Sequence, residues 1–113
     1  MDEGRRKLRR FRLVCSLPVI DRDSGEQIGM LEDITVEGLR LKGPNLLQTG
    51  RTFHVTLQLP VEIERRTGIE LNAHCVWSSE SGTPGLYEAG FSFVNPSWEA
   101  TEIIDKLIVS FKR

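Results

Sequence analysis

Through the middle of this chain apolar side chains recur at every second position, and a period of two belongs to extended strands rather than to helices. In "TFHVTLQL", Phe53, Val55, Leu57 and Leu59 alternate with His54, Thr56 and Gln58, so one face turns inward and the other toward water. "IELNAHCVW" repeats the pattern with Ile69, Leu71, Ala73, Cys75 and Trp77, and "LYEAGFSF" with Tyr87, Ala89, Phe91 and Phe93. Shorter β-rich runs precede them: "RLVCSLPVI", "QIGMLEDI" and "GLRLKG". Turn signals fall between the runs, at "DRDSGE" with Gly25, at Gly43-Pro44, Thr49-Gly50 and Thr67-Gly68, and at Gly82-Thr83-Pro84-Gly85. Six strands at such spacing predict an all-β fold, a six-stranded antiparallel β-barrel.

Only the C-terminal end follows a helical period. In "SWEATEIIDKLIVSFKR", Ala100, Ile103, Ile104, Leu107, Ile108 and Phe111 form one apolar stripe, which predicts a C-terminal α-helix over 97–112 lying against the barrel. Asn95-Pro96-Ser97 supplies a cap and a first-turn proline, Glu99 and Glu102 suit the positive end of the helix dipole, and Lys112 with Arg113 suit the negative end.

With 113 residues, the chain is the size of one domain with one core, and at that size no disulfide or metal is needed to hold it together. Cys15 and Cys75, both in apolar runs, are expected to be reduced and buried. The N-terminal charge is not followed by an apolar region of signal-peptide length, and no window approaches the roughly 18 apolar residues of a membrane span, so a cytoplasmic location without membrane insertion is expected.

The division of charge says more than its total. Residues 1–12 hold Arg5, Arg6, Lys7, Arg9, Arg10 and Arg12 against Asp2 and Glu3, net +4, so the remaining residues must sum to −5 to give the chain its −1. A flexible basic arm, 1–12, precedes an acidic single domain, 13–113. General nucleic-acid binders spread positive charge over a face to neutralise successive phosphates; this arm suits only a few, so nucleic acid is not the expected partner.

Most chemical signals are weak. Asp21, Asp23 and Glu32 fall at the first, third and twelfth positions of a calcium loop, but Glu26 stands where that loop needs glycine. His74 and Cys75 are strand neighbours pointing to opposite faces, and His54 has no partner nearby in sequence. There is no phosphate-cradling glycine loop and no nucleophile elbow. Neither a metal nor an enzymatic activity is expected.

"EDITVEGLRL" is different. Asp33, Thr35 and Gly38 stand in D-x-T-x-x-G spacing between two strands. As a turn alone, Asp33 caps it, Thr35 bonds locally and Gly38 takes a φ that other residues avoid. As a site, side chains two apart leave an extended chain on the same side, so a carboxylate and a hydroxyl address one ligand. A carboxylate only accepts hydrogen bonds, and the N1–H and N2–H of guanine form a matching donor pair.

An R-x-x-x-R arm, Arg6-Lys-Leu-Arg-Arg10, ahead of the first strand, followed by Asp33, Thr35 and Gly38 in a [D/N]-x-S-x-x-G turn, resembles the PilZ domain family. The likeness extends to "NAHCVW" and "EAGFSF", similar to the family's late strands, and to the closing helix. It implies a receptor for the second messenger cyclic di-GMP, held by Arg5, Arg6, Arg9, Arg10, Asp33, Thr35 and Gly38. The arm would order on the ligand and pass the signal to a downstream protein. Thr35 stands where serine is usual. A second register, Arg5-x-x-x-Arg9, leaves open which arginine pair meets the phosphates. The alternative is a PilZ-like protein-interaction module that has lost the ligand. Trp77 is a core or rim residue, or else a stacking face near the pocket.

Overall fold

The computed structural model of this chain describes residues 9–113. The expected barrel is there, closed by six antiparallel strands: β1 (Pro18–Asp21), β2 (Gln27–Thr35), β3 (Gly38–Gly43), β4 (Thr52–Ile63), β5 (Arg66–Glu80) and β6 (Tyr87–Phe93), followed by α1 (Trp98–Phe111). Around the barrel the order is β1, β2, β3, β6, β5, β4, and β4 returns to β1, so no edge is left unpaired.

The alternating residues supply the core. Phe53, Val55 and Leu57 from β4, Ile69, Leu71, Ala73 and Cys75 from β5, and Ala89, Phe91 and Phe93 from β6 are all buried. The helix presents Ala100, Ile103, Ile104, Leu107 and Ile108 to the same cluster, packing against β4 and β5. Ser97 caps it by accepting from the Ala100 N–H at 3.0 Å.

Five local expectations are corrected. The run 12–20 is not one strand: the chain bends at Val14 and Cys15, and β1 begins only at Pro18, which has no N–H to give to an earlier rung. Cys15 is therefore half-buried rather than buried. The turn signal at Thr67-Gly68 lies inside β5. The chain reverses instead at Glu64 and Arg65, both left-handed at φ 53° and 66°, while β4 bulges around Pro60, which gives no ladder hydrogen bond. Pro96 precedes the helix cap instead of entering the first turn, because Asn95 at φ 46° swings the chain before Ser97. Finally, Lys112 is the C-cap and Arg113 lies beyond it, so neither charge is in the last helical turn.

The N-terminal segment is fastened by its own small ladder. Phe11 and Ile34 exchange both backbone hydrogen bonds at 3.0 Å, Phe111 O accepts from the Val14 N–H at 2.8 Å, and Arg12 O accepts from the Arg113 N–H at 2.8 Å. Among the described residues, the first of these ladder bonds is made by Phe11, directly after Arg9 and Arg10.

Burial raises the Cys75 thiol above its ordinary pKa, partly offset by the backbone of Trp77. A raised pKa leaves the thiol protonated, and its contribution to stability is intact below the ordinary thiol value of about 8.5 and is lost as pH climbs past it. Iodoacetamide labelling of the folded protein near pH 8, followed by mass spectrometry, is expected to modify Cys15 well before Cys75, with Cys75 reacting only on unfolding.

Candidate functional site

Two β-bulges decide which side chains leave the barrel interior. In β2, Leu31 pairs with Leu41 and Asp33 with Arg40, so Glu32 is an extra residue. Alternation from Leu31 would have sent Asp33 inward. The bulge sends Ile34, fully buried, into the core and turns Asp33 and Thr35 to the outer face. In β5, Cys75 pairs with Phe91 and Trp77 with Gly90, which makes Val76 the extra residue. Trp77, aligned by sequence with the inward set, is thereby moved outside. The same outer row then reads Asp33, Arg40, Gly90, Trp77 across four neighbouring strands.

Glycines hollow out the floor between these side chains. A Cβ on Gly38 would lie 2.2 Å from Phe91 O, and one on Gly90 would lie 2.2 Å from the Trp77 indole nitrogen. Gly38 is therefore required by the close approach of β6, and it does not take the positive φ expected for it. The indole lies over Gly90 and forms one wall of a cleft of about 370 Å³, whose lining includes Arg10, Asp33, Thr35, Gly38 and Ser92.

Asp33 is 6% exposed, yet it is heavily partnered. Its Oδ2 accepts from Arg40 Nε at 2.9 Å and faces Arg40 Nη2 at 2.9 Å, while Oδ1 faces Arg10 Nη1 at 3.8 Å. Arg40 is held on its other side by Glu88 at 3.4 Å, and Glu88 lies 3.8 Å from Lys42. Burial pulls the Arg40 pKa down, but the hydrogen bond to Asp33 and the charges of Asp33, Glu88 and Glu32 outweigh it, so the guanidinium ends above its ordinary value. A buried carboxylate is kept from isolation in this way, and Oδ1, which accepts no hydrogen bond among the described residues, can meet a donor in the cleft.

Thr35 performs the local task foreseen for it. Its Oγ1 accepts from the backbone N–H of Glu37 at 2.9 Å and of Gly38 at 3.2 Å, closing the two-residue loop from β2 to β3. Asp33 does not cap that turn; Arg40 takes its carboxylate instead.

Of the residues singled out in the sequence, Arg10, Asp33, Thr35 and Gly38 line one cleft. Arg9 is exposed, with its guanidinium 5.6 Å from the Phe11 ring centroid rather than in the cleft lining. Arg5 and Arg6 lie outside the described residues. Sequence reasoning missed Arg40 and Gly90, and strand alternation by itself aligned Trp77 with the inward set although it stands at the cleft wall. Arg40 had a signal: a hairpin in which Thr35 faces Gly38 must place Asp33 opposite Arg40.

A family model described as PilZ domain matches residues 4–110. Among solved structures, the Bacillus subtilis inhibitor of motility (MotI/DgrA) aligns with a TM-score of 0.73 at 16% identity, covering 94% of this chain and 50% of that one. Escherichia coli YcgR in complex with c-di-GMP gives 0.71 at 18% identity, covering 94% and 45%. The PilZ domain of Escherichia coli YcgR with c-di-GMP gives 0.69 at 16% identity, covering 94% and 90%. The chain thus spans about half the length of the first two. At these identities the likeness is one of fold. No curated protein sequence matches the chain.

Proposed function

The chain belongs to the PilZ domain family, and we propose that it is a receptor for cyclic di-GMP. The observation that carries this reading is the convergence of Arg10, Asp33 and Trp77 on one glycine-floored cleft. The three side chains match three parts of the messenger. Guanidinium groups pair with phosphodiester oxygens or donate to guanine O6 and N7. The Asp33 carboxylate accepts from guanine N1–H and N2–H. The indole face of Trp77 offers a stacking surface for the base. The complex of YcgR with c-di-GMP, of the same fold, supports the reading.

In this reading the ligand replaces a weak internal contact by stronger ones. Arg10 is 61% exposed and 3.8 Å from Asp33, a spacing that adds little stability at an open surface. A dianion in the cleft gives Arg10 and the arginines before it full partners, and it removes their mutual repulsion. The arm then closes over the ligand, offsetting an ordering cost of roughly 1–2 kcal/mol per residue, and the new surface is read by a downstream protein. Amide hydrogen exchange of residues 7–10 is expected to slow on adding cyclic di-GMP, while Phe11, already bonded to Ile34, and Phe53 to Leu59 keep the same protection with and without it.

Arg10→Ala is expected to weaken binding by about 1.5–3 kcal/mol, the scale of a hydrogen bond to a charged group, without lowering the unfolding midpoint. The site itself is tested by a ¹H–¹⁵N titration. Cyclic di-GMP should shift the amides of Asp33 to Gly38 and of Gly90 to Ser92 and the Trp77 indole N–H, and leave those of Ile103 to Leu107 in place. Shifts confined to other surfaces would reject this cleft, and no shifts at all would return the chain to the ligand-free protein-interaction reading.

A further inference from the structure

From the geometry around Asp33 we infer that Arg40 is a positioning residue that makes the cleft selective for guanine over adenine; the inference rests on the cyclic di-GMP reading above. Arg40 binds Asp33 through two nitrogens of one planar edge, Nε and Nη2, and both reach the same oxygen, Oδ2, at 2.9 Å. Nε donates the hydrogen bond and Nη2 adds charge at the same atom, so Oδ2 is pinned, rotation of the carboxylate about its Cβ–Cγ bond is restrained, and the direction of Oδ1 is set. A lysine, with one ammonium on a flexible stem, supplies the charge without a directed Nε–H.

Arg40 is itself immobilised. Its side chain is only 18% exposed, and Glu88 draws Nη1 to the opposite side at 3.4 Å. Asp33, Arg40 and Glu88 lie on three adjacent strands, β2, β3 and β6, so the barrel's own ladders set the spacing. Arg40 is outside the lining of the cleft, and it acts through Asp33 rather than on the ligand.

The consequence is chemical selectivity. With Oδ2 engaged by Arg40, Oδ1 is the Asp33 oxygen left for the cleft. Guanine brings N1–H and N2–H to it, whereas adenine has an acceptor at N1 and no 2-amino group. A site built to accept that donor pair rejects the base that lacks it. Without Arg40 the carboxylate is free to rotate toward Arg10, its other cationic neighbour among the described residues at 3.8 Å, and the donor pair loses its fixed acceptor.

The test compares cyclic di-GMP and cyclic di-AMP by calorimetry on the full chain and on Arg40→Met, Arg40→Lys and Arg66→Met, the last removing an ion pair with Glu99 at the helix. The preference for cyclic di-GMP should fall at least tenfold in both Arg40 variants, mostly through weaker cyclic di-GMP binding, and remain unchanged in Arg66→Met. An equal loss for both dinucleotides, or full rescue by lysine, would show that Arg40 contributes only charge or stability and would overturn the inference. Independently of any ligand, the Arg40 Nε–H signal in a ¹H–¹⁵N spectrum should be protected from exchange in the parent and lost in Asp33→Asn. If that signal is present but the parent binds neither dinucleotide, the receptor reading has failed and the inference with it. If the signal is unprotected in the parent, the positioning contact itself is refuted.

Discussion

Asp33→Ala is expected to reduce cyclic di-GMP affinity by two orders of magnitude or more and to erase most of the preference over cyclic di-AMP. Two effects act together. The Asp33 carboxylate, buried and held by Arg40 where the other lining carboxylate, Glu37, is exposed, accepts the N1–H and N2–H pair, and charged hydrogen bonds of this kind are worth about 1.5–3 kcal/mol each. The substitution also strands Arg40, which is 18% exposed and depends on Asp33 for two of its contacts. Breaking a fully buried pair costs about 3–5 kcal/mol, and because Arg40 keeps Glu88 and some access to water, a smaller loss of about 1–3 kcal/mol is expected in urea unfolding. Calorimetry and urea unfolding together separate the two effects. An unchanged dinucleotide preference would reduce Asp33 to a structural partner of Arg40.

The second large effect contrasts the two floor glycines. A Cβ at Gly38 would sit 2.2 Å from Phe91 O, a backbone atom in the ladder between β3 and β6, so Gly38→Ala must push two strands apart. Overpacking of this sort costs about 1–3 kcal/mol, and at a fixed backbone the upper end or beyond is expected. Gly90→Ala meets the Trp77 ring first, 2.2 Å from Nε1, and a side chain can swing away. Gly90→Ala should therefore keep a near-parental unfolding midpoint while the displaced indole disturbs the cleft and weakens binding. The reverse order of stabilities would contradict the assignment of Gly38 to strand approach.

The barrel was legible because each long strand alternates cleanly: Phe53, Val55 and Leu57, or Ala89, Phe91 and Phe93, state their own inward face. The helix was legible for the same reason at its own period. What the alternation hid was its interruption. A single inserted residue, Glu32 or Val76, reverses every later side chain, and nothing in the local composition marks either one as extra. Trp77 could be read as core, rim or stacking face for that reason. Asp33, Thr35 and Gly38 were found because their spacing is short and spans one hairpin. Arg40 was overlooked because its partner is seven residues away in sequence, although the hairpin register already placed the two side by side. Gly38 does not take the positive φ that its turn position suggested; the pairing with β6 shows instead a contact that excludes a side chain.

The most direct test of the account is a calorimetric titration of the full chain with cyclic di-GMP, set beside GMP and a short DNA duplex under the same salt. Saturable binding of cyclic di-GMP at least about a hundredfold tighter than GMP is expected, since GMP brings one base and one phosphate where cyclic di-GMP brings two of each, with no comparable binding of DNA to an acidic barrel with a short basic arm. Equal binding of GMP, a preference for DNA, or no heat from cyclic di-GMP at high concentration would contradict the account.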